Sequence, residues 1–435
     1  MTPVPVCPCC SQGSGAIVRS FDHGGRAYRL RRCERCASLY YDPPPAMDYR
    51  THTASEYALR DYVEMNCSVD TLASNLMAAI GGMPPGRLLD VGCGYGFAAD
   101  IARRVAGWQV LGVEPSTYGR RGAADLDLEI LADFVGPGHP IEKERFDAVF
   151  ASEVLEHVGD PAKFVAFFAS LLNPGGRLVL STPDAAALDE GRSESEQLAA
   201  LSPGSHVALF SRGALVGLLN AAGLPHTDVQ RRGVSFVVIA SRAPIRRSRV
   251  DGIAVAADYI ERLFAARPVL PDALAAGLRF RLFRYLIDLG RLAEAAAMEA
   301  AVDWPARVDL PVATYAAYLD AYRTFAPWAL MYRGFLHSRH FGDHRTAAGY
   351  LEDAHALCAT RLRIGRNAAV SESSVVWRCL LDAGREHALA GDTAAAQAAF
   401  ARLACTEAGD LPPVPADIRA AAAAAAAPKR RWLGR

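Results

Sequence analysis

The sequence predicts an α/β domain built on a parallel sheet, preceded by a small cysteine-rich module and followed by an all-α region. Three observations predict this. Between residues 84 and 242, short apolar runs alternate with helical stretches, the pattern of strands joined by crossover helices. Five of the ten cysteines fall within the first 36 residues. From about residue 250 the chain is alanine-rich, keeps helical periodicity and offers no convincing strand.

Length and composition agree. A chain of 435 residues exceeds one ordinary domain, and 51% hydrophobic residues supply sizeable cores. Lys and Arg total 47, as do Asp and Glu, so the formal net charge is zero. That balance lacks the basic footprint of bulk nucleic-acid binding. Met1 to Val6 contains no basic stretch followed by an apolar one, so no signal peptide is expected. No apolar run approaches the ~20 residues of a membrane span. The expected compartment is the cytoplasm, where cysteines stay reduced.

Residues 1–45 hold two Cys-x-x-Cys pairs, Cys7/Cys10 and Cys33/Cys36, separated by 22 residues. Each pair can set two thiolates on one side of a knuckle, and two knuckles complete a closed tetrahedral zinc site. The competing reading is a reduced loop without metal. Cys9 is a spare thiol that could substitute for a neighbour. Pro43 to Pro45 form a stiff exit. Residues 46–83 read as a helical lead-in carrying Tyr49, Tyr57 and Tyr62.

Residues 84–245 form the α/β domain. Its strand candidates are Arg87 to Val91, Gln109 to Val113, Phe146 to Ala151, Arg177 to Ser181 and Phe236 to Ala240. The stretch between Gly223 and Phe236 is short for a full hairpin, so the last strands are expected to be trimmed. Ala243 to Arg249, with three arginines and a proline, marks the boundary. Residues 250–410 come next as a helical domain. Gly290, Gly342 and Gly391, spaced by 52 and 49, each separate two helical segments. Stacked helical hairpins of tetratricopeptide type explain this spacing, and so does an ordinary bundle. His355 and His387 read as surface or packing residues. Residues 411–435, with a run of eight alanines from Ala420 to Ala427 and a basic tip, are expected to be disordered.

The most informative stretch is Leu88-Leu89-Asp90-Val91-Gly92-Cys93-Gly94-Tyr95-Gly96. An apolar strand ends in an acid, and a glycine-rich turn opens a helix near Phe97. Glycines let a backbone turn sharply and approach a ligand closely. The second strand ends in Glu114, 18 residues after Gly96, where a carboxylate can accept from both hydroxyls of an adenosine ribose. A pyrophosphate needs the helix N-terminus free of negative charge, and Asp90 would repel it. A cationic adenosyl cofactor would welcome that carboxylate, which favours adenosylmethionine over a dinucleotide.

These residues resemble the first motif of class I S-adenosylmethionine-dependent methyltransferases, which share a Rossmann-like seven-stranded sheet. The resemblance covers roughly residues 85 to 242. Asp133-Phe134 resembles the adenine-binding pair. Phe146-Asp147-Ala148-Val149-Phe150-Ala151-Ser152-Glu153-Val154-Leu155-Glu156-His157-Val158 resembles the fourth strand and its succeeding helix. Asp160-Pro161, Asn173-Pro174-Gly175-Gly176, and His206-Val207-Ala208-Leu209-Phe210-Ser211 resemble later signposts in the same order. Cys33 to Cys36 with Leu39-Tyr40-Tyr41-Asp42-Pro43 resembles the end of a zinc ribbon found ahead of bacterial methyltransferases acting on sugars and small molecules.

The resemblance implies S-adenosylmethionine as cofactor, held by Asp90, Gly92, Cys93, Gly94, Gly96, Glu114, Asp133, Phe134 and Ser152. It also implies a tyrosine-rich lead-in that partly covers the cofactor. Tyr57 would reach the methionine carboxylate or serve as packing. It implies methyl transfer to an acceptor, expected to be a hydroxyl of a small molecule or saccharide. A hydroxyl acceptor needs a base, and His206 and His157 are the candidates. His157 lies four residues after Glu153, so the two are expected to share a helical face. Structural positioning is the alternative for both histidines. Two other functions remain open: a non-catalytic scaffold, and action on a protein recruited by the helical domain.

Overall fold

The computed structural model describes residues 6–23, 25–45, 47–50, 55–188, 197, 200–301, 304, 312–365, 370–405 and 411–427. The chain divides into two compact units: residues 1–59 with 67–271, and residues 60–66 with 272–435.

The first unit contains both sheets. The larger has seven strands in the order β10-β11-β8-β7-β4-β5-β6. Its parallel members are β4 (Arg87–Val91), β5 (Gln109–Val113), β6 (Ile130–Leu131), β7 (Phe146–Ser152) and β8 (Leu172–Pro183). Leu88, Leu89, Ala148, Val149, Leu178 and Val179 are fully buried, as expected of strands covered on both faces. The expected trimming is corrected. β10 (His226–Arg232) and β11 (Ser235–Ser241) pair over seven residues each, and β11 runs antiparallel along β8. The connection needs only Gly233-Val234, with Gly233 at φ 59°, so a short sequence suffices.

Helices flank this sheet. α1 (Glu56–Asp61) and α2 (Val69–Ile80) precede it. α3 (Phe97–Ala106) and α4 (Thr117–Leu126) follow β4 and β5. α5 (Pro161–Ser170), α6 (Arg212–Ala221) and α7 (Gly252–Ala266) complete the layer. Asp160 begins α5 by accepting from the Lys163 amide at 3.0 Å, with Pro161 at the first helical position.

The second sheet has the order β1-β2-β3-β9, made of β1 (Gly15–His23), β2 (Arg26–Cys33), β3 (Leu39–Asp42) and β9 (Ala208–Leu209). Three of its strands come from the cysteine-rich module. The fourth comes from the segment after β8, so the module is a graft on the α/β domain rather than a bead on a linker. Cys7, Cys33 and Tyr40 share one apolar cluster with Leu89, Val149, Leu180 and Phe210.

The second unit is helical: α8 (Asp272–Asp288), α9 (Leu292–Ala301), α10 (Tyr315–Ala321), α11 (Ala326–Leu336), α12 (His344–Ile364), α13 (Val370–Leu389), α14 (Thr393–Ala404) and α15 (Ala416–Ala426). The three marked glycines each join two helices, at φ 74°, 65° and 82°. Gly342-Asp343 and Gly391-Asp392 end one helix with a left-handed residue and start the next with a side-chain cap on Thr346 or Ala395. The paired helices differ in length (17 with 10, 11 with 21, 20 with 12), which makes hairpins but not a uniform repeat.

The domain limits expected from the sequence differ from this division in three places. The helical unit starts at Asp272 rather than 250, because α7 packs on α2 and α3, where the Tyr259 hydroxyl donates to Asp100 at 3.0 Å. Residues 60–66, expected in the lead-in, belong to the helical unit, where Glu64 is fully buried. Within the tail, Ala416–Ala426 is helical, because Ile418 and Ala422 bury against Leu380, Phe400 and Leu403. The basic tip, residues 428–431, lies outside the described residues.

Candidate active site and metal centre

The candidate cofactor residues collect at the carboxyl ends of β4, β5, β6 and β7, the edge where open α/β sheets bind ligands. Gly92, Gly94 and Gly96 all take left-handed backbone (φ 63°, 55° and 88°), which a side chain would strain. A Cβ on Gly92 would also meet Val154 at 2.6 Å, and one on Gly96 would meet Leu128 at 2.7 Å. Asp90 is buried, and its Oδ2 accepts from the Ala99 amide of α3 at 3.1 Å. Burial pushes its carboxyl up to about 8, with Glu114 adding repulsion. An approaching cation would reverse that shift.

Glu114 points at the glycine turn. One carboxylate oxygen accepts from the Gly94 amide at 3.1 Å and the other from the Ser116 amide at 2.9 Å. The Glu114 amide bonds Leu131, which brings the end of β6 beside it. Asp133 and Phe134 come directly after. Both are about half exposed, and Asp133 accepts from the Phe134 amide at 2.7 Å. Cys93 turns its thiol against Gly112, and its amide is taken by Val113, so burial keeps it an uncharged packing residue. Ser152 Oγ lies 2.7 Å from Ser181 Oγ.

The expectation of a shared helical face for Glu153 and His157 is corrected. Glu153 sits at φ 55°, and only Leu155–His157 form a single 3-10 turn. Glu153 instead accepts from Ser181 Oγ at 2.8 Å. Glu156 is fully buried and accepts from Thr182 Oγ1 at 3.1 Å, and burial beside Glu153 raises its pKa well above the usual carboxylate range.

His157 and His206 meet edge to face at 4.8 Å. They are not equivalent. His206 is buried, its Nδ1 faces the Ala200 carbonyl at 3.1 Å, and burial with its neighbour drives its pKa down to about 3. It stays neutral and inaccessible. His157 keeps a 22% exposed side chain, and burial lowers its pKa more moderately. Tyr49, which the sequence marked only as part of the lead-in, places its hydroxyl 2.8 Å from His157 Nδ1. Tyr57, the tyrosine that the sequence pointed to, stands 42% exposed on α1.

Three further residues of the site were not evident from the sequence. Arg50 pairs with Asp133 at 3.1 Å and lies over the Phe134 ring at 4.9 Å. Gly119 and Gly122 of α4 face Glu114 and the Tyr95 backbone so closely that any Cβ would collide. Their three-residue spacing on a helix was the available signal.

The four cysteines converge. Cys7 Sγ lies 3.7 Å from Cys36 Sγ, Cys10 Sγ lies 3.7 Å from Cys33 Sγ, and all four sulfurs lie within 4.8 Å of one another. Zinc–sulfur bonds of ~2.3 Å in a tetrahedron put sulfurs ~3.8 Å apart, close to the two 3.7 Å spacings, so the donor set fits zinc. A hydrogen bond with the Cys7 thiol, then burial, lifts the Cys36 thiol to about 12, as expected where a cation would stabilise thiolates. Cys9 is buried outside the set.

A family profile described as "Methyltransferase domain" matches residues 68–228. The ubiquinone biosynthesis O-methyltransferase of Alkalilimnicola ehrlichii is 39% identical over 117 residues, covering 24% of this chain and 44% of its own length. The corresponding Bradyrhizobium diazoefficiens protein is 32% identical over 154 residues, covering 34% and 54%. The chain thus spans about half the length of these curated relatives. Among solved structures, an O-methyltransferase family protein from Burkholderia thailandensis is 18% identical with a TM-score of 0.36, over 43% of this chain and 59% of that one. Among the described residues, no helix is long and apolar enough to cross a membrane.

Proposed function

We propose that this chain, which carries a class I S-adenosylmethionine-dependent methyltransferase domain, moves a methyl group to a hydroxyl of a small molecule or saccharide. The observation that carries the reading is the strand-end arrangement in which Glu114 faces the glycine turn beside buried Asp90. Bound S-adenosylmethionine supplies an electrophilic methyl on a cationic sulfur. Glu114 would accept from the ribose hydroxyls, Asp133 would accept from the adenine amine, and Phe134 would offer its ring face. Asp90 contributes negative charge, which the cation restores by lowering its pKa.

His157 takes the acceptor proton. It is the more exposed of the two histidines and uncharged at neutral pH, as a base must be. His206 packs behind it. The printed names of the matched relatives, O-methyltransferases of ubiquinone biosynthesis, support a hydroxyl acceptor of small size. The four-cysteine cluster holds structural zinc, with no position left open for chemistry.

Calorimetry with S-adenosylmethionine and its demethylated product, then turnover against phenolic and sugar acceptors, tests the reading. Binding of both ligands and methylation of a hydroxyl are expected. A purified, folded protein that binds neither ligand refutes the assignment.

A further inference from the structure

Arg50 stands where adenine would have to go. Its guanidinium lies 4.9 Å from the centre of the Phe134 ring and 3.1 Å from Asp133 Oδ1. Those are the two contacts an adenine needs there, a flat π face and an N–H donor for the carboxylate. Guanidinium is planar and delocalised and carries only donors, so it satisfies both partners at once. The next residue back, Tyr49, reaches the other end of the crevice, with its hydroxyl 2.8 Å from His157 Nδ1.

The two contacts of His157 Nδ1 fit one tautomer. The Ser205 carbonyl, at 3.1 Å, can only accept, so it selects Nδ1–H. The Tyr49 hydroxyl can accept from the same N–H, which leaves the lone pair on Nε2.

We infer that Arg50 is a self-occupying gate: its guanidinium fills the adenine site until an adenosyl ligand displaces it. This rests on the adenosyl-binding reading above. The gate is weak enough to open, because Arg50 is 61% exposed and its ion pair is solvent-screened.

Calorimetric titration of S-adenosylhomocysteine into Arg50→Ala tests the gate. Removing an exposed ion pair and an exposed cation–π contact predicts a Kd about three- to thirtyfold tighter than wild type. Arg50→Lys, which keeps charge but loses the flat face, falls between. Unchanged or weaker binding by a folded Arg50→Ala protein overturns the gate and leaves the adenosyl reading standing. Absence of binding by wild type overturns both.

Discussion

Asp90 carries a proton into the pH range where exposed carboxylates have lost theirs. Its folded-state pKa, about 8, lies above its value in an unfolded chain, so the native state binds more protons between roughly pH 4 and 8. The stability slope is therefore negative there: the carboxyl costs nothing extra below about pH 4 and destabilises progressively as pH rises from there toward 8. Asp90→Asn, which can still accept from the Ala99 amide, should unfold close to wild type at about pH 4 and a few degrees higher at pH 8. Thermal scans at both values check this. His157→Gln should lower kcat about 10²- to 10⁴-fold. The acid limb of the wild-type rate profile should fall below pH 6.5, because burial depresses this histidine. His206→Gln should act mainly on stability, since its ring is buried at about pKa 3. Asp90, Glu114 and the glycine turn were legible in the sequence because strand ends and glycines leave local signatures. Arg50 and Tyr49 were not distinguished, because their partners lie 83 and 108 positions away and no local pattern encodes them.

The ribbon acts on the site through β9. Leu39 pairs with Leu209 and Tyr40 with Ala208. Ser211 donates to the Cys36 carbonyl at 2.5 Å, and its amide bonds Ser38 Oγ at 3.0 Å. The segment that carries His206, immediately before β9, thus hangs on the cysteine knuckle. Removing zinc with a chelator, or Cys33→Ser, should weaken acceptor turnover through KM and kcat while changing S-adenosylhomocysteine affinity less than about threefold. Parallel calorimetry and kinetics separate the two. The paired Cys-x-x-Cys spacing made the ribbon legible. The fourth strand was not, because two residues are too few to show periodicity. The β10–β11 hairpin was underestimated for a similar reason: its turn occupies two residues, and no loop announces it.

The two units keep separate cores. Phe280, Phe283, Trp328 and Leu336 centre one helical cluster, and Val376, Leu380, Phe400 and Leu403 another. Residues 60–66 join this unit through charge. Glu64 is fully buried between Arg60 at 2.9 Å and Arg323 at 3.0 Å, with the Thr324 amide at 2.8 Å. Gly277 makes room, since a Cβ there would meet the backbone of Glu64 at 2.7 Å. Glu64→Ala strands two arginines and should cost the helical unit about 3 kcal/mol, visible as a lowered transition in calorimetry. Sequence periodicity revealed that the C-terminal region is helical. It did not reveal that seven residues from far upstream complete it, because a buried glutamate reads as a solvent-facing one until its partners are placed. The account as a whole stands on the crevice between the glycine turn and Glu114. A crystal structure with S-adenosylhomocysteine tests it most directly: the prediction is both ribose hydroxyls within about 3 Å of the Glu114 carboxylate and the adenine amine on Asp133. A ligand bound elsewhere, or a ribose that ignores Glu114, would contradict it.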